Sequence, residues 1–267
     1  MKGSLLASEL DPAFKRRARI ILENLNMKGG DKVLDVGCGR GFYLNAISQL
    51  YPRAEVTGVD SNLKYIETAK KITKGKVILG DATKLPFPDN YFDRIICSEV
   101  LEHIANDNLA ISEIHRVLKR RGEAFISVPN KNYPLWLDPI NYTLEKLTGY
   151  HVPSNRWWLA GIWADHVRLY GEAEIIGKLE GEGLKVKKVW RATRWGMWLE
   201  HFLLYAIGKN MVEMGWLKQF NRFNTRPKNS KLLMAVLSVV GWFDRKNDTN
   251  EAGPGDRYVN IIVRAGR

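Results

Sequence analysis

Short hydrophobic runs alternate with amphipathic stretches through the first half of the chain. The runs predict strands, and the stretches, whose apolar residues recur every three or four positions, predict helices. The predicted strands lie near residues 32–36, 55–59, 76–80, 92–97 and 123–128, and the predicted helices near 10–27, 41–50, 62–73 and 106–118. This alternation favours an α/β fold with a doubly wound, mostly parallel sheet.

The regular pattern is interrupted twice in the second half of the chain. A helix is predicted at 171–183, a strand at 184–191 and a last strand at 258–264, which would complete a seven-stranded sheet. The predicted units are a ligand-binding half at 1–130, a first insertion at 131–170, completion of the sheet by 171–191 and 257–267, and a largely helical second insertion at 192–256.

The turn after the first predicted strand carries the first chemical signal. Residues 33–41 read Val-Leu-Asp-Val-Gly-Cys-Gly-Arg-Gly, a buried strand followed by glycines that let backbone N–H groups approach a ligand. The dinucleotide fingerprint spaces its glycines differently; here Phe42 stands in the slot of its third glycine, and Asp35 adds a carboxylate before the first. The turn therefore predicts a nucleoside site of another kind.

Four segments in order resemble the motifs of one enzyme family. Residues 34–41 resemble motif I of the class I S-adenosylmethionine-dependent methyltransferases, and residues 56–60, Val-Thr-Gly-Val-Asp, resemble the second strand with its terminal acid. Residues 80–89 resemble the adenine-contacting segment. Residues 91–104 resemble the fourth strand and following turn of the type 11 group, which includes ubiquinone and menaquinone biosynthesis methyltransferases. The resemblance implies a Rossmann-like fold whose last strand is antiparallel.

The resemblance also implies the cofactor S-adenosylmethionine, with S-adenosylhomocysteine as product. A sulfonium cation that carries an adenosine and an amino acid needs carboxylates for its ribose and amino group. Each aspartate alone fits a turn or helix cap equally well, but their joint placement at strand ends favours a cofactor site. The predicted cofactor-binding residues are Asp35, Gly37, Cys38, Gly39, Asp60, Ser61, Asp81, Ala82, Ser98 and Glu99.

Candidate catalytic groups are few. By resemblance His103, beside Glu102, is the best-placed general base, although it fits a helix-capping role as well. Trp157, Trp158 and His166 are predicted on the substrate side, and His151 and His201 rank below His103 as bases. No metal-ligand spacing is seen, so no metal site is predicted. Cys38 and Cys97 lack zinc-like spacing and are predicted to be reduced packing residues.

Aromatic and basic residues separate the second half from the first. All nine tryptophans lie beyond residue 130. This segregation predicts an apolar surface over the catalytic face, or alternatively a second core beneath the insertions.

Positive charge is also concentrated in the second half. Residues 185–246 contain thirteen Lys or Arg and three acids, which accounts for ten of the net +12 charges. Apolar helices predicted at 196–208 and 232–243 are too short to cross a bilayer but suit a membrane surface or a lid.

These patterns predict a methyltransferase for a small or lipophilic acceptor, such as a lipid, isoprenoid or quinone. An anionic membrane surface is a second predicted partner, met by residues 192–246. An RNA methyltransferase that uses the same basic region, and a non-catalytic S-adenosylmethionine-binding module, remain alternatives. The N-terminus does not resemble a signal peptide, so a cytoplasmic protein, peripheral to a membrane or not, is expected.

Absent motifs narrow the acceptor. Residues 98–101 read Ser-Glu-Val-Leu where many enzymes that methylate adenine or glutamine nitrogen carry Asn/Asp-Pro-Pro-Tyr. Cys97 follows Ile96 rather than the proline that precedes the nucleophile of cytosine C5 enzymes. The identity of the acceptor, the choice among O-, N- and C-methylation, and the oligomeric state stay open.

Overall fold

The computed structural model describes residues 5–6, 9, 11–153, 157–196, 238, 241–242, 244–248, 252–253 and 255–267. At 157–159 only the backbone is described. Most of the predicted second insertion, including nearly all of the apolar helices at 196–208 and 232–243, lies outside these residues.

Seven strands of the described residues form one sheet, in the order β3-β2-β1-β4-β5-β7-β6. Their bounds are β1 Lys32–Val36, β2 Glu55–Asp60, β3 Lys76–Leu79, β4 Phe92–Ser98, β5 Leu118–Pro129, β6 Lys185–Ala192 and β7 Asn260–Gly266. All neighbouring pairs are parallel except those of β7, which runs antiparallel to β5 and to β6. The predicted sheet and its antiparallel last strand are confirmed.

Helices cover both faces of this sheet. Their bounds are α1 Pro12–Asn24, α2 Phe42–Leu50, α3 Leu63–Ile72, α4 Asp107–Val117, α5 Pro139–Thr148 and α6 Glu172–Gly181, with 3-10 helices at Leu101–His103 and Trp157–Trp163. α1 begins two residues later than predicted because Asp11 caps it, accepting a hydrogen bond from the Phe14 amide at 3.0 Å, and it ends at Asn24, three residues earlier than predicted. None of the described helices has the length and apolar character needed to cross a bilayer.

Strand β5 begins five residues earlier than the pattern predicts. The polar run Lys-Arg-Arg at 119–121 hides its start, but Leu118 is buried and pairs with Phe92 on β4. The pairing shifts register between Phe92 and Arg94. An irregularity of this kind breaks the two-residue alternation on which the prediction relied.

The core consists of two apolar layers, one on each face of the sheet. Leu34 and Ile95 belong to one layer with α4 and α6, whereas Val33 and Ile96 belong to the other with α1, α2 and α3. Successive side chains of a strand point to opposite faces, so continuous apolar runs supply both layers at once.

A third, smaller cluster lies beneath the first insertion. Its buried members are Tyr133, Leu137, Ile162, Leu169 and Val259. Trp136 and Trp163 pack against it, and Trp190 packs against the α1 side of the main core. By contrast, Trp195 and Trp242 are 44% and 48% exposed. The tryptophans with described side chains therefore divide between packing and surface positions, and the predicted single apolar surface does not hold for the three packed ones.

A buried carboxylate joins α4 to the chain before α6. Asp107 accepts hydrogen bonds from the Tyr170 hydroxyl at 2.7 Å and from Lys178 Nζ at 3.0 Å, and Arg168 Nη1 lies 2.8 Å from it. Burial acts to raise the pKa of Asp107, but these three donors outweigh it and lower the pKa. The charged carboxylate thus stabilises the folded state.

Replacing Tyr170 by Phe is expected to lower the free energy of unfolding by about 1–2 kcal/mol at neutral pH, since Asp107 loses a buried donor. Because the folded-state pKa of Asp107 is lowered, the contribution of its charge is present above the unfolded-state pKa and is lost as the pH falls through the folded-state pKa. The difference between Tyr170→Phe and the parent should shrink toward about pH 3 in urea unfolding. Tyr150→Phe, at a side chain 77% exposed, is the control.

Candidate functional site

The glycine turn after β1 is bonded to the end of β2. The Cys38 amide donates to the Val59 carbonyl at 3.0 Å, and the Gly39 amide donates to Asp60 Oδ2 at 2.7 Å. Gly37 and Gly39 have φ of +66° and +51°, the left-handed region that favours glycine. A Cβ at Gly37 would overlap the Val100 side chain, whereas nothing lies within 4 Å of the Cβ position at Gly39. Gly37 therefore allows close packing against Val100, whereas Gly39 borders open space.

Asp60 ends β2 at the carboxyl edge of the sheet. Its Oδ1 accepts a hydrogen bond from the Asn62 amide at 2.8 Å, while Oδ2 holds Gly39. A carboxylate has about four lone-pair positions, so Asp60 has room for further donors such as hydroxyl groups. The side chain is half-buried, which leaves it accessible.

Asp35 lies deeper, on the neighbouring strand β1. It is 2% exposed, and its Oδ2 has no hydrogen-bond partner among the described residues. Burial raises the pKa of Asp35 well above its usual range, and the negative charge of Asp60 raises it further. A cation or a strong donor placed beside Asp35 would relieve both effects.

The remaining predicted acid, Asp81, is exposed beyond β3. Its Oδ1 accepts a hydrogen bond from the Thr83 amide at 2.8 Å, which closes a local turn. Ala82 beside it is half-buried, and Ser61 is exposed just before the α3 cap at Asn62. The turn-capping interpretation thus describes Asp81 in this structure, and a cofactor role for it stays a prediction.

A polar network covers the carboxyl end of β4. Ser98 Oγ lies 3.0 Å from Ser127 Oγ and 3.3 Å from the Tyr43 hydroxyl. Glu99 has a φ of +56°, unusual for a residue with a side chain. Its Oε1 accepts from Ser127 at 3.0 Å and its Oε2 from Asn260 Nδ2 at 3.0 Å, and these bonds hold the strained residue in place.

Arg17 of α1 belongs to the same network and was not predicted. Its Nε donates to Ser98 Oγ at 3.2 Å, and its Nη1 lies 3.6 Å from Glu99 Oε2. The sequence contained a signal for it, since Arg17 falls three residues after Phe14 and four before Ile21, on the buried face of the helix. A basic residue at such a position needs a buried partner.

A second cluster forms in the turn after β4. Glu102 is fully buried, and neither carboxylate oxygen has a hydrogen-bond partner among the described residues. His103 Nε2 lies 3.9 Å and His166 Nε2 lies 4.0 Å from Glu102 Oε1. Burial raises the pKa of Glu102 well above its usual range, and Glu99 adds to the shift. The sequence singled out both histidines but gave no reason to place them together, 63 residues apart.

The other predicted site residues are placed as follows. The backbone of Trp157 and Trp158 lies in the 3-10 helix Trp157–Trp163 before His166, and their side chains fall outside the description. Cys38 and Cys97 are buried free thiols. Burial raises the pKa of both, and nearby carboxylates add to the effect, so both remain protonated. This agrees with their predicted role in packing.

Comparison with known proteins shows what this chain is similar to. Residues 34–126 match the family model described as a methyltransferase domain. Demethylmenaquinone methyltransferase of Staphylococcus aureus is 32% identical over 125 residues, which are 45% of this chain and 51% of that protein. The chain thus spans about half the length of the curated relatives it matches. The similarity to a methyltransferase domain falls on the segment in which the sequence motifs lie.

Solved structures share the fold across nearly the whole chain. A SAM dependent methyltransferase from Archaeoglobus fulgidus aligns with a TM-score of 0.55 at 18% identity, covering 94% of this chain and 92% of that one. The phosphoethanolamine N-methyltransferase 2 of Haemonchus contortus, in complex with S-adenosyl-L-methionine, aligns with a TM-score of 0.56 at 18% identity. The alignment covers 93% of this chain and 51% of that one. The [4+2]-cyclase SpnF aligns with a TM-score of 0.58 at 19% identity, covering 93% of this chain and 79% of that one. All three structures share the fold of this chain, and the cyclase shows that the fold alone does not fix the reaction.

The two glycines provide a test of the turn. Gly37→Ala is expected to lower the free energy of unfolding by about 2 kcal/mol more than Gly39→Ala does, since only the former overlaps Val100. Both substitutions carry the cost of a left-handed φ, so the difference isolates the packing. Urea unfolding measures it, and equal losses would contradict the assignment of Gly37 to packing.

Proposed function

We propose that this protein is an S-adenosylmethionine-dependent methyltransferase that acts on a small or lipophilic acceptor. The observation that carries the proposal is the buried carboxylate of Asp35 beside the glycine turn and Asp60. The Oδ2 atom of Asp35 has no hydrogen-bond partner among the described residues. An acid at this depth is costly without a compensating charge, and the cofactor brings both a sulfonium and an ammonium group. The family match over residues 34–126 supports the same chemistry.

The residues fit distinct parts of this cofactor. Asp60 would accept hydrogen bonds from the ribose hydroxyls, for which its remaining lone pairs are suited. Asp35 would face the amino group, and the open backbone at Gly39 would border the cofactor. Ser61, Asp81 and Ala82 would flank the adenine, and Gly37, Cys38, Ser98 and Glu99 would shape the base of the site. When bound, S-adenosylmethionine supplies an electrophilic methyl group on its sulfonium.

The protein would then contribute to catalysis mainly by positioning the acceptor against the methyl group. In-line methyl transfer needs the acceptor held against the methyl group and water kept out. The Arg17, Ser98 and Glu99 network stiffens the edge of the sheet where the two substrates would meet. His103, beyond this edge, is proposed as the base for an acceptor that carries a proton.

A lipophilic, quinone-like acceptor is the finer part of the proposal. The name of the Staphylococcus aureus relative supports it, although the similarity covers under half of this chain. The tryptophans and net positive charge of the second half are consistent with an amphipathic acceptor or an anionic membrane surface.

Asp60→Ala is expected to weaken S-adenosylmethionine binding by about 1.5–3 kcal/mol, or roughly 10- to 150-fold in Kd, because charge-assisted bonds to the ribose are lost. Isothermal titration calorimetry measures the change. Asp31→Ala, at the opposite edge of the sheet, should leave the affinity unaltered and serves as the matched control. An unchanged affinity in Asp60→Ala would refute the assigned site.

The acceptor is tested by transfer of a labelled methyl group into separated lipid, RNA and protein fractions of a cell extract. We expect label in the lipid fraction, insensitive to ribonuclease. Label in RNA, with salt-sensitive binding to transfer RNA, would establish the alternative that uses the basic region for phosphates. S-adenosylmethionine binding without turnover in any fraction would indicate the non-catalytic module.

A further inference from the structure

Three potential metal ligands meet beyond the end of β4. The Oε1 atom of Glu102 faces the Nε2 atoms of both His103 and His166, at 3.9 and 4.0 Å. The two imidazole rings meet edge to face, with centroids 4.8 Å apart. The ligand atoms of all three residues lie within 4.8 Å of one another. The separations are too long for hydrogen bonds, so the three side chains converge without bonding to each other.

Glu102 is the residue that most requires an explanation. It is fully buried, and both of its oxygens lack hydrogen-bond partners among the described residues. A carboxylate in this setting is unfavourable unless a cation neutralises it. The cation that acts on Glu102 is Arg17, but its guanidinium contacts Ser98 and Glu99 and makes no hydrogen bond to Glu102.

The orientation of His103 is fixed from outside the cluster. Its Nδ1 lies 2.8 Å from the Asp165 carbonyl oxygen, which can accept a hydrogen bond but cannot donate one. The proton of the neutral ring must therefore sit on Nδ1, and Nε2 presents its lone pair toward Glu102. Histidines that bind metals are commonly held in this way, by a carbonyl or carboxylate on the second ring nitrogen.

The backbone holds the two contributing segments together. The Val167 amide donates to the Glu102 carbonyl at 2.9 Å, and Arg168 Nη2 donates to the Ala105 carbonyl at 2.7 Å. Together with the bond between His103 and Asp165, these contacts fasten the loop around His166 to the turn after β4. The three ligands are thus brought together by the fold itself, as a preorganised site requires.

We propose that Glu102, His103 and His166 bind a divalent transition-metal ion of the zinc type. Two imidazoles and one carboxylate suit zinc and related ions better than magnesium or calcium, which favour oxygen ligands. Ligand atoms of a tetrahedral zinc lie roughly 3.4 Å apart, so each histidine nitrogen would have to approach Glu102 by about half an ångström, and no pair of ligand atoms by more than about 1.4 Å. Three protein ligands leave one position open, and the 42% exposed side chain of His103 marks the side open to solvent.

An open metal position would select an oxygen ligand, either water or a hydroxyl group of the acceptor. This consequence rests on the proposed function, whereas the metal site does not. Metal ligation and proton transfer need the same Nε2 lone pair of His103, so the general-base role proposed above applies only to the metal-free protein. Binding experiments therefore separate the two roles.

The test is titration of the chelator-treated full-length protein with Zn²⁺ by calorimetry and with Co²⁺ by visible absorption. We expect one ion per chain and, for Co²⁺, absorption bands of a low-symmetry site. Glu102→Gln and His166→Ala should each weaken binding at least about tenfold. His115→Ala, a half-buried histidine outside the cluster, should bind as the parent does.

A second readout guards against misfolded variants. Zn²⁺ should raise the Tm of the parent and of His115→Ala, but not that of Glu102→Gln or of His103→Ala, whose partly exposed side chain is the one least able to disturb the fold. Absence of saturable binding by the parent at about 100 µM metal, or parent-like affinity in the cluster variants, would overturn the proposal. S-adenosylmethionine affinity, measured on the same samples, reports separately on the proposed function.

Discussion

Hydrogen bonds between the glycine turn and the end of β2 are the constraint on which the cofactor side of this structure depends. The Cys38 and Gly39 amides bond to Val59 and Asp60, so the turn, the strand end and the acid form one rigid unit. Gly37 allows the chain to pass against Val100 on its way into α2. Because β1 lies between β2 and β4, the same turn sets where Asp35 is buried relative to the polar edge of β4.

Acidic side chains collect at this edge in a chain whose net charge is +12. Asp60 and Glu99 are held by hydrogen-bond donors, but Asp35 and Glu102 are buried deeper and have free oxygens among the described residues. This difference affects stability, because a buried acid with hydrogen-bond donors stabilises the fold, whereas a buried acid without them destabilises it. Unsatisfied acids persist at binding sites, where the missing partner arrives with the ligand.

The sequence predicted what depends on local periodicity and missed what depends on distant contacts. The mostly parallel seven-stranded sheet, the helix placement and the carboxyl-edge position of Asp35 and Asp60 follow from apolar runs and from known motifs. The start of β5 was missed because a register shift hides it. Arg17 and His166 reach their partners across 81 and 64 residues, and no spacing rule brings such pairs together. The acceptor side was the least predictable part, because its elements are insertions without a repeating pattern.

The two buried acids Asp35 and Glu102 act on the same buried group, the thiol of Cys97 on β4. Burial raises the pKa of this thiol, and the charges of Glu102, Asp35 and Glu99 raise it further. Because both acids raise the pKa of this thiol, a cation bound at either acid would lower that pKa. Two cations would also repel one another, which favours a separate carboxylate for each. Asp35 on β1 and Glu102 in the turn after β4 meet that requirement, because each is a buried acid with its own carboxylate.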